Sequence, residues 1–237
     1  MKSALLLSLA LLLPAARAVE PGFESLFNGK DLSGWEGLAT TWSVEDGAIT
    51  GINTAEAPLQ HNTFLVWKGG EIANFELRAR FRFMSPNPKD GNAGIQYRSR
   101  LEDAQKFIVA GYQGDFDAAG RYVGLFYEER GRGILAQPGQ QAIVKGVGAD
   151  KKPIVEVIGS TTPPAEVLAS IKPGEWVDYT IIAIGNHLRH YVNGRLSTEV
   201  FDLDPQHAAA KGILALQAHR GPPMKIQFKD IRIKQLP

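Results

Sequence analysis

The sequence predicts an all-β fold, an antiparallel two-sheet β-sandwich, on three observations. Apolar and polar residues alternate with period two along many short runs, the pattern of half-buried strands. Asp46-Gly47 and Asn193-Gly194 sit between such runs, and both dipeptides supply the positive φ that tight hairpins need. The 25 glycines and 14 prolines are spread along all 237 residues, and no long window carries a helical period. Two sheets packed face to face then bury one side of every strand.

The chain opens with a segment that is not part of that domain. Met1 to Ala18 has a single basic Lys2, an apolar run from Ala4 to Leu13 and a closing Ala16-Arg17-Ala18, the pattern of a cleavable export signal. The run is shorter than the roughly 20 residues that span a bilayer, and no later stretch is longer. With no cysteine available for lipid attachment, residues 19–237 are expected as one exported domain, periplasmic or secreted, without a membrane anchor.

Trp42-Ser43-Val44 and Ala48-Ile49-Thr50 then flank Asp46-Gly47 as the two arms of a hairpin. From Phe75 to Met84 the alternation is most regular: Phe75, Leu77, Ala79, Phe81 and Phe83 interleave with Glu76, Arg78, Arg80 and Arg82. Ala93 to Ser99, Lys106 to Phe116 and Tyr122 to Glu129 continue the series. Gly131 to Thr162 is the least regular part and is expected to be a loop flanking a site, and Ala165 to Ser170, between two prolines, is the one helix-like stretch. Trp176 to Ile184 and Leu188 to Asn193 are joined through Gly185-Asn186, and Leu196 to Phe201, Ile213 to His219 and Lys225 to Ile233 complete the strands.

Composition narrows the partners. Cleavage after Ala18 removes two of the 26 basic residues and leaves 24 against 25 acidic ones. A nearly neutral chain is not built for nucleic acid or anionic membranes. The absence of cysteine excludes disulfides, a thiolate nucleophile and Cys-ligated metals. No Gly-x-Ser-x-Gly elbow, Walker motif or His-Glu-x-x-His occurs, and the glycine pairs at 131/133 and 146/148 do not lead from strand to helix.

Residues two apart on a strand share a face at about 6.6 to 6.8 Å. Three runs carry polar pairs at that spacing: Gln96 with Arg98, Gln113 with Asp115, and Gln217 with His219. On one sheet, these amide, guanidinium, carboxylate and imidazole groups would converge on a surface suited to sugar hydroxyls, with Trp35, Trp42, Tyr97 or Tyr127 available to stack on a pyranose. A polar outer face is also what any half-buried sheet presents, and the charged comb from Glu76 to Arg82 fits that plainer reading. Tyr127-Glu128-Glu129-Arg130 is either a hairpin end or the rim of the same groove. Asp115 and Asp117 could form a carboxylate pair or begin a loop. His61, His187, His190 and His207 show no zinc-ligand spacing.

Particular segments go further. Phe23 through Trp35 (Phe-Glu-Ser-Leu-Phe-Asn-Gly-Lys-Asp-Leu-Ser-Gly-Trp), Asn92 to Ser99, Gly111-Tyr112-Gln113-Gly114-Asp115, Asn193-Gly194, and Leu216-Gln217-Ala218-His219 ahead of Phe228-Lys229-Asp230-Ile231 together resemble the 3-keto-disaccharide hydrolase domain family, from Phe23 to Leu236. The resemblance implies a concanavalin-like jelly roll. It also implies a reaction on glycosides already oxidised to a ketone at carbon 3: proton abstraction at carbon 2, elimination at carbon 1, then addition of water. Such a reaction needs no carboxylate nucleophile, in keeping with the missing Glu-x-Asp-x-Glu strand of many β-sandwich glycosidases. On that mechanism the base role is expected of His219 or Asp115. Enolate stabilisation is expected of Arg98, or of a divalent cation on carboxylates such as Glu76 and Asp115. Substrate contacts fall to Glu76, Gln96, Tyr97, Gln113, Tyr127, Glu128 and Gln217. The competing readings are a non-catalytic carbohydrate-binding, lectin-like module and an adhesive surface protein.

Overall fold

A computed structural model describes residues 20–237, so the export signal assigned to residues 1–18 lies outside the described residues. In chain order the elements begin with β1 (Glu24–Ser25), β2 (Trp35–Glu36), β3 (Trp42–Glu45), β4 (Ala48–Asn53), β5 (Thr63–Trp67) and β6 (Phe75–Phe83). There follow β7 (Asn92–Asp103), β8 (Ile108–Asp117), β9 (Leu125–Glu129), β10 (Gly133–Ala136), β11 (Gln140–Val147) and β12 (Pro153–Ser160). After the helix α1 (Pro164–Ala169) come β13 (Val177–Ile184), β14 (His187–Val192), β15 (Arg195–Asp202), β16 (Ile213–Ala218) and β17 (Met224–Gln235).

These strands form two sheets. One runs β12-β11-β15-β14-β13-β6-β17-β4-β3 with β1 added beside β17, and the other runs β10-β9-β8-β7-β16-β5-β2. Asp46-Gly47 (φ 51° and 71°) and Asn193-Gly194 (φ 46° and 75°) make the two expected tight turns. Alternation then decides the faces. On β6, Phe75, Leu77, Ala79 and Phe81 are buried and Glu76, Arg78, Arg80 and Arg82 point out. Across the sandwich, the Phe81 ring stacks on Phe116 of β8 at 3.8 Å, and Phe116 meets Tyr179 of β13 at 5.3 Å. The hydroxyl of Tyr97 on β7 bonds Nε2 of His190 on β14 at 2.8 Å, a polar tie through the middle of the core.

Two sequence expectations change, and one strand had no alternation to reveal it. Residues 131–162 hold three strands, not a loop. β11 alternates (Ala142 and Val144 are buried), but β12 is an edge strand open on both faces and its pairing with β11 is twice bulged, so no clean period survives in its sequence. The antiparallel rule is broken once, where β11 lies parallel to β15. β5, Thr63–Trp67, is a short apolar run without alternation because its outer side is also covered: Phe64 and Val66 cluster there with Val109 of β8, Ala215 of β16 and Phe107 of the loop before β8.

Candidate active site

The outer face of the seven-stranded sheet carries a cavity of about 540 Å³, and strand register explains what lines it. β7, β8 and β16, which bear the three polar pairs, belong to this sheet, with β7 between the other two. Ile95, Tyr112, Phe116, Phe126 and Leu216 face the core, so Gln96, Gln113, Asp115, Tyr127, Glu129 and Gln217 face outward. The sheet also rolls over this face. Glu129 on β9 and Asn62 at the head of β5 have three strands between them, about 19 Å in a flat sheet. Their side chains nevertheless bond, Asn62 Nδ2 donating to Glu129 Oε1 at 3.3 Å.

A chain of buried amides forms the floor. The Gln96 and Gln113 amides meet at 2.7 Å, Gln113 Nε2 donates to Gln217 Oε1 at 3.4 Å, and Gln217 Nε2 donates to Glu129 Oε2 at 3.2 Å. Gly94 makes this possible, because a Cβ at that position would stand 2.5 Å from the Gln113 side chain. Above the floor sit Asp115, Glu129 and His219. Burial pushes the Asp115 carboxyl well above the usual aspartate range, and the nearby charges of Asp117 and Glu129 add to the shift. Its Oδ1 is buried without a partner, as is Oδ1 of Asn92, which also lines the cavity. Burial raises Glu129 as well, against the opposing hydrogen bonds of Asn62 and Gln217. Tyr127 is raised by burial and by the Glu129 and Asp115 charges. His219 is held below the ordinary imidazole value by burial and then by the Arg220 charge. Its Nδ1 faces the Arg220 carbonyl, which can only accept, so Nδ1 carries the hydrogen and Nε2 keeps the lone pair.

Of the residues singled out in the sequence, Asp115, His219, Gln113, Tyr127 and Gln217 line this cavity together. Gln96 lies just beneath, wholly buried and bonded to Gln113 and Ser99. Four others are placed elsewhere. Arg98 sits at a bulge with φ 47°, which breaks the alternation that would have put it beside Gln96. Its guanidinium instead donates to Ala73 O (2.8 Å), Gly185 O (2.6 Å) and Ala209 O (3.2 Å), pinning loops of both sheets. Tyr97 is a core residue. Glu128 points to the opposite side of β9 from Tyr127 and Glu129, where it binds Arg132 at 2.6 Å. Glu76 is on the outer face of the ten-stranded sheet, beside Arg78.

That placement decides the cation pairing: Glu76 and Asp115 stand on the outer faces of opposite sheets and cannot share one ion. Among the described residues no group of three or more His, Asp or Glu side chains has metal-binding geometry. Asp117 does not pair with Asp115 as a working dyad either. Its Oδ1 accepts the Tyr122 N–H at 2.7 Å, holding the loop between β8 and β9, and it borders a separate apolar cavity with Phe83, Val123 and Leu168.

Sequence reasoning missed Asn62, Asn92, Tyr122 and Arg220 as lining residues, and left Glu129 open between a hairpin end and the rim of the groove. For Glu129 the signal was present: with Phe126 inward, parity assigns 127 and 129 to the outer face and 128 to the inner. The others lie on or beside loops, where no period operates.

Residues 22–234 match the family model described as the 3-keto-alpha-glucoside-1,2-lyase-like domain. No curated protein matches the chain. Among solved structures it is similar to a protein of Parabacteroides distasonis provisionally described as a glycosyl hydrolase, at 20% identity over 91% of this chain and 94% of that one, TM-score 0.57. It is also similar to the carbohydrate binding module CBM66 from Bacillus subtilis (15% identity, 85% and 96% covered, TM-score 0.54). A third is a Bacillus subtilis protein of unknown function with a galectin-like fold (12% identity, 90% and 94% covered, TM-score 0.57). At such identities the likeness is one of fold, a jelly-roll type of two-sheet sandwich.

Proposed function

The chain belongs to the 3-keto-alpha-glucoside-1,2-lyase-like domain family, and from that premise we propose that it cleaves 3-keto-glycosides by elimination followed by hydration. One observation carries this reading: Asp115, Glu129 and His219 face a single cavity, and burial moves each of them towards its neutral form. Neutral groups of this kind suit an acid and base pair, whereas a glycosidase that displaces the leaving group directly needs an ionised nucleophile.

The ketone at carbon 3 acidifies the hydrogen on carbon 2. Nε2 of His219, unprotonated at neutral pH, takes that proton. As the carbon 1 to carbon 2 double bond forms, the bond from carbon 1 to the glycosidic oxygen breaks, and the neutral Asp115 carboxyl protonates the departing oxygen. The amide hydrogens of the floor and the Tyr127 hydroxyl stabilise charge developing on the carbon 3 oxygen, the part that Arg98 is too distant to play. Water then adds its hydroxyl to carbon 1 and a proton to carbon 2, releasing the 3-keto sugar.

The test is turnover of matched 3-keto and unoxidised glycosides by residues 19–237. Cleavage confined to the keto forms is expected, with exchange of the carbon 2 hydrogen in deuterated water. His219→Asn and Asp115→Asn should each lower kcat/KM by roughly 10²- to 10⁴-fold. Equal cleavage of unoxidised glycosides, or full activity in both variants, would overturn the mechanism. Sugar binding with no turnover of any glycoside would instead make the chain a carbohydrate-binding module.

A further inference from the structure

The cavity is not uniformly polar, and its asymmetry follows the register. A row of directly opposed residues crosses the outer face from Gln96 to Gln113, Tyr127 and Ile134 on β7, β8, β9 and β10. Amides therefore give way to an aromatic ring and then to a branched alkyl group at the sheet edge. Leu125 and Tyr122 extend that end, while Asn62, Gln217, His219 and Arg220 hold the other. Ile134 is 40% exposed although it faces the cavity, so its apolar surface is left for something other than the protein. Glu129 is two residues along β9 from Tyr127, and Asp115 is two along β8 from Gln113, the residue opposite Tyr127, so both carboxyl groups flank the ring on this face.

We infer that Tyr127 and Ile134 form the leaving-group subsite and that it takes an apolar, ring-bearing aglycone in preference to a second sugar. This rests on the function proposed above, since only a cleaved glycoside has a leaving group. A sugar ring on the amide side satisfies its hydroxyls there, with its carbon 1 directed to the carboxyl groups and its substituent lying over Tyr127 and Ile134. A second sugar in that place would set hydroxyls against Ile134, which offers them no hydrogen bonds. An aryl or alkyl group would cover the Ile134 side chain and stack on Tyr127. Tyr127 and Ile134 are thus specificity-determining residues.

Binding of phenyl and methyl glucopyranosides, in both anomers, measured by calorimetry tests this without chemistry, because unoxidised glucosides are not consumed by the proposed reaction. The phenyl compound should bind roughly tenfold more tightly, the effect expected from burying one ring face. Ile134→Ser, at an exposed position where folding is not at stake, should reduce that ratio several-fold. In turnover, a 3-keto phenyl glucoside should exceed a 3-keto disaccharide in kcat/KM by a similar factor. Equal affinity for phenyl and methyl glucosides, an unchanged ratio in Ile134→Ser, or preference for the disaccharide would overturn the inference. Loss of all keto-glycoside turnover with the phenyl preference intact would overturn the reaction and leave the apolar subsite standing.

Discussion

At the residue scale the site rests on groups whose protonation is set by burial. Asp115 lies above its ordinary value and His219 below its own, and the proposed mechanism uses the pair with the carboxyl protonated and the imidazole free. The pH profile of kcat/KM should therefore be a bell. Its acidic limb marks protonation of His219 and falls below pH 6.5, and its alkaline limb marks ionisation of Asp115 and falls well above pH 3.8. Asp115→Asn should abolish the alkaline limb and leave the acidic one, which a kcat/KM titration on a 3-keto-glycoside will show. Asp115, Gln113, Gln217 and His219 were legible in the sequence because regular strands convert a spacing of two into a shared face. Arg98 was misread because a single positive φ shifts parity, and nothing in Gln-Tyr-Arg-Ser announces that shift.

At the scale of elements, the β9–β10 hairpin matters most, since it carries Tyr127, Glu129 and Ile134. It is held from behind by Arg132, whose side chain is 3% exposed and bonds Glu128 (2.6 Å), Asp202 (2.6 Å) and Asp204 (3.2 Å). Tyr112 donates to the same Asp202 at 2.5 Å. Burial disfavours the Arg132 charge, but the hydrogen bonds of Asp202 and Glu128 more than offset it and keep the guanidinium protonated. Arg132→Ala leaves three buried carboxylates facing one another, and should cost roughly 3 to 5 kcal/mol. Urea unfolding at pH 7 measures this. The hairpin's register was readable, but the clamp was not. Arg132 and Asp202 are 70 residues apart, and no local period links them.

For the whole molecule, the two sheets are joined by a core that includes a buried histidine. His190 is fully buried against Tyr97 and Phe126, and burial lowers its pKa to about 3. The folded value lies below the unfolded one near 6.5. The stability linked to it is thus complete above pH 6.5 and is lost as pH falls towards 3, by a few kcal/mol in order of magnitude. The urea midpoint should decline between pH 7 and pH 4, and His190→Phe should flatten that decline although it also removes the Tyr97 bond. A slope equal to that of the unsubstituted chain would show that other groups carry the acid sensitivity.

The sequence by itself determined the strand faces, the tight turns and the sandwich, because alternation and hairpin dipeptides are local and each residue reports its own side. The family was legible for the same reason, since its motifs are contiguous. Only the tertiary structure decided which of those faces became a site. The roll of the seven-stranded sheet brings Asn62 to Glu129, the bulge turns Arg98 away, and sheet membership separates Glu76 from Asp115. These are relations between strands far apart in the chain, fixed by how two twisted sheets close over a shared core rather than by the pattern along any one of them.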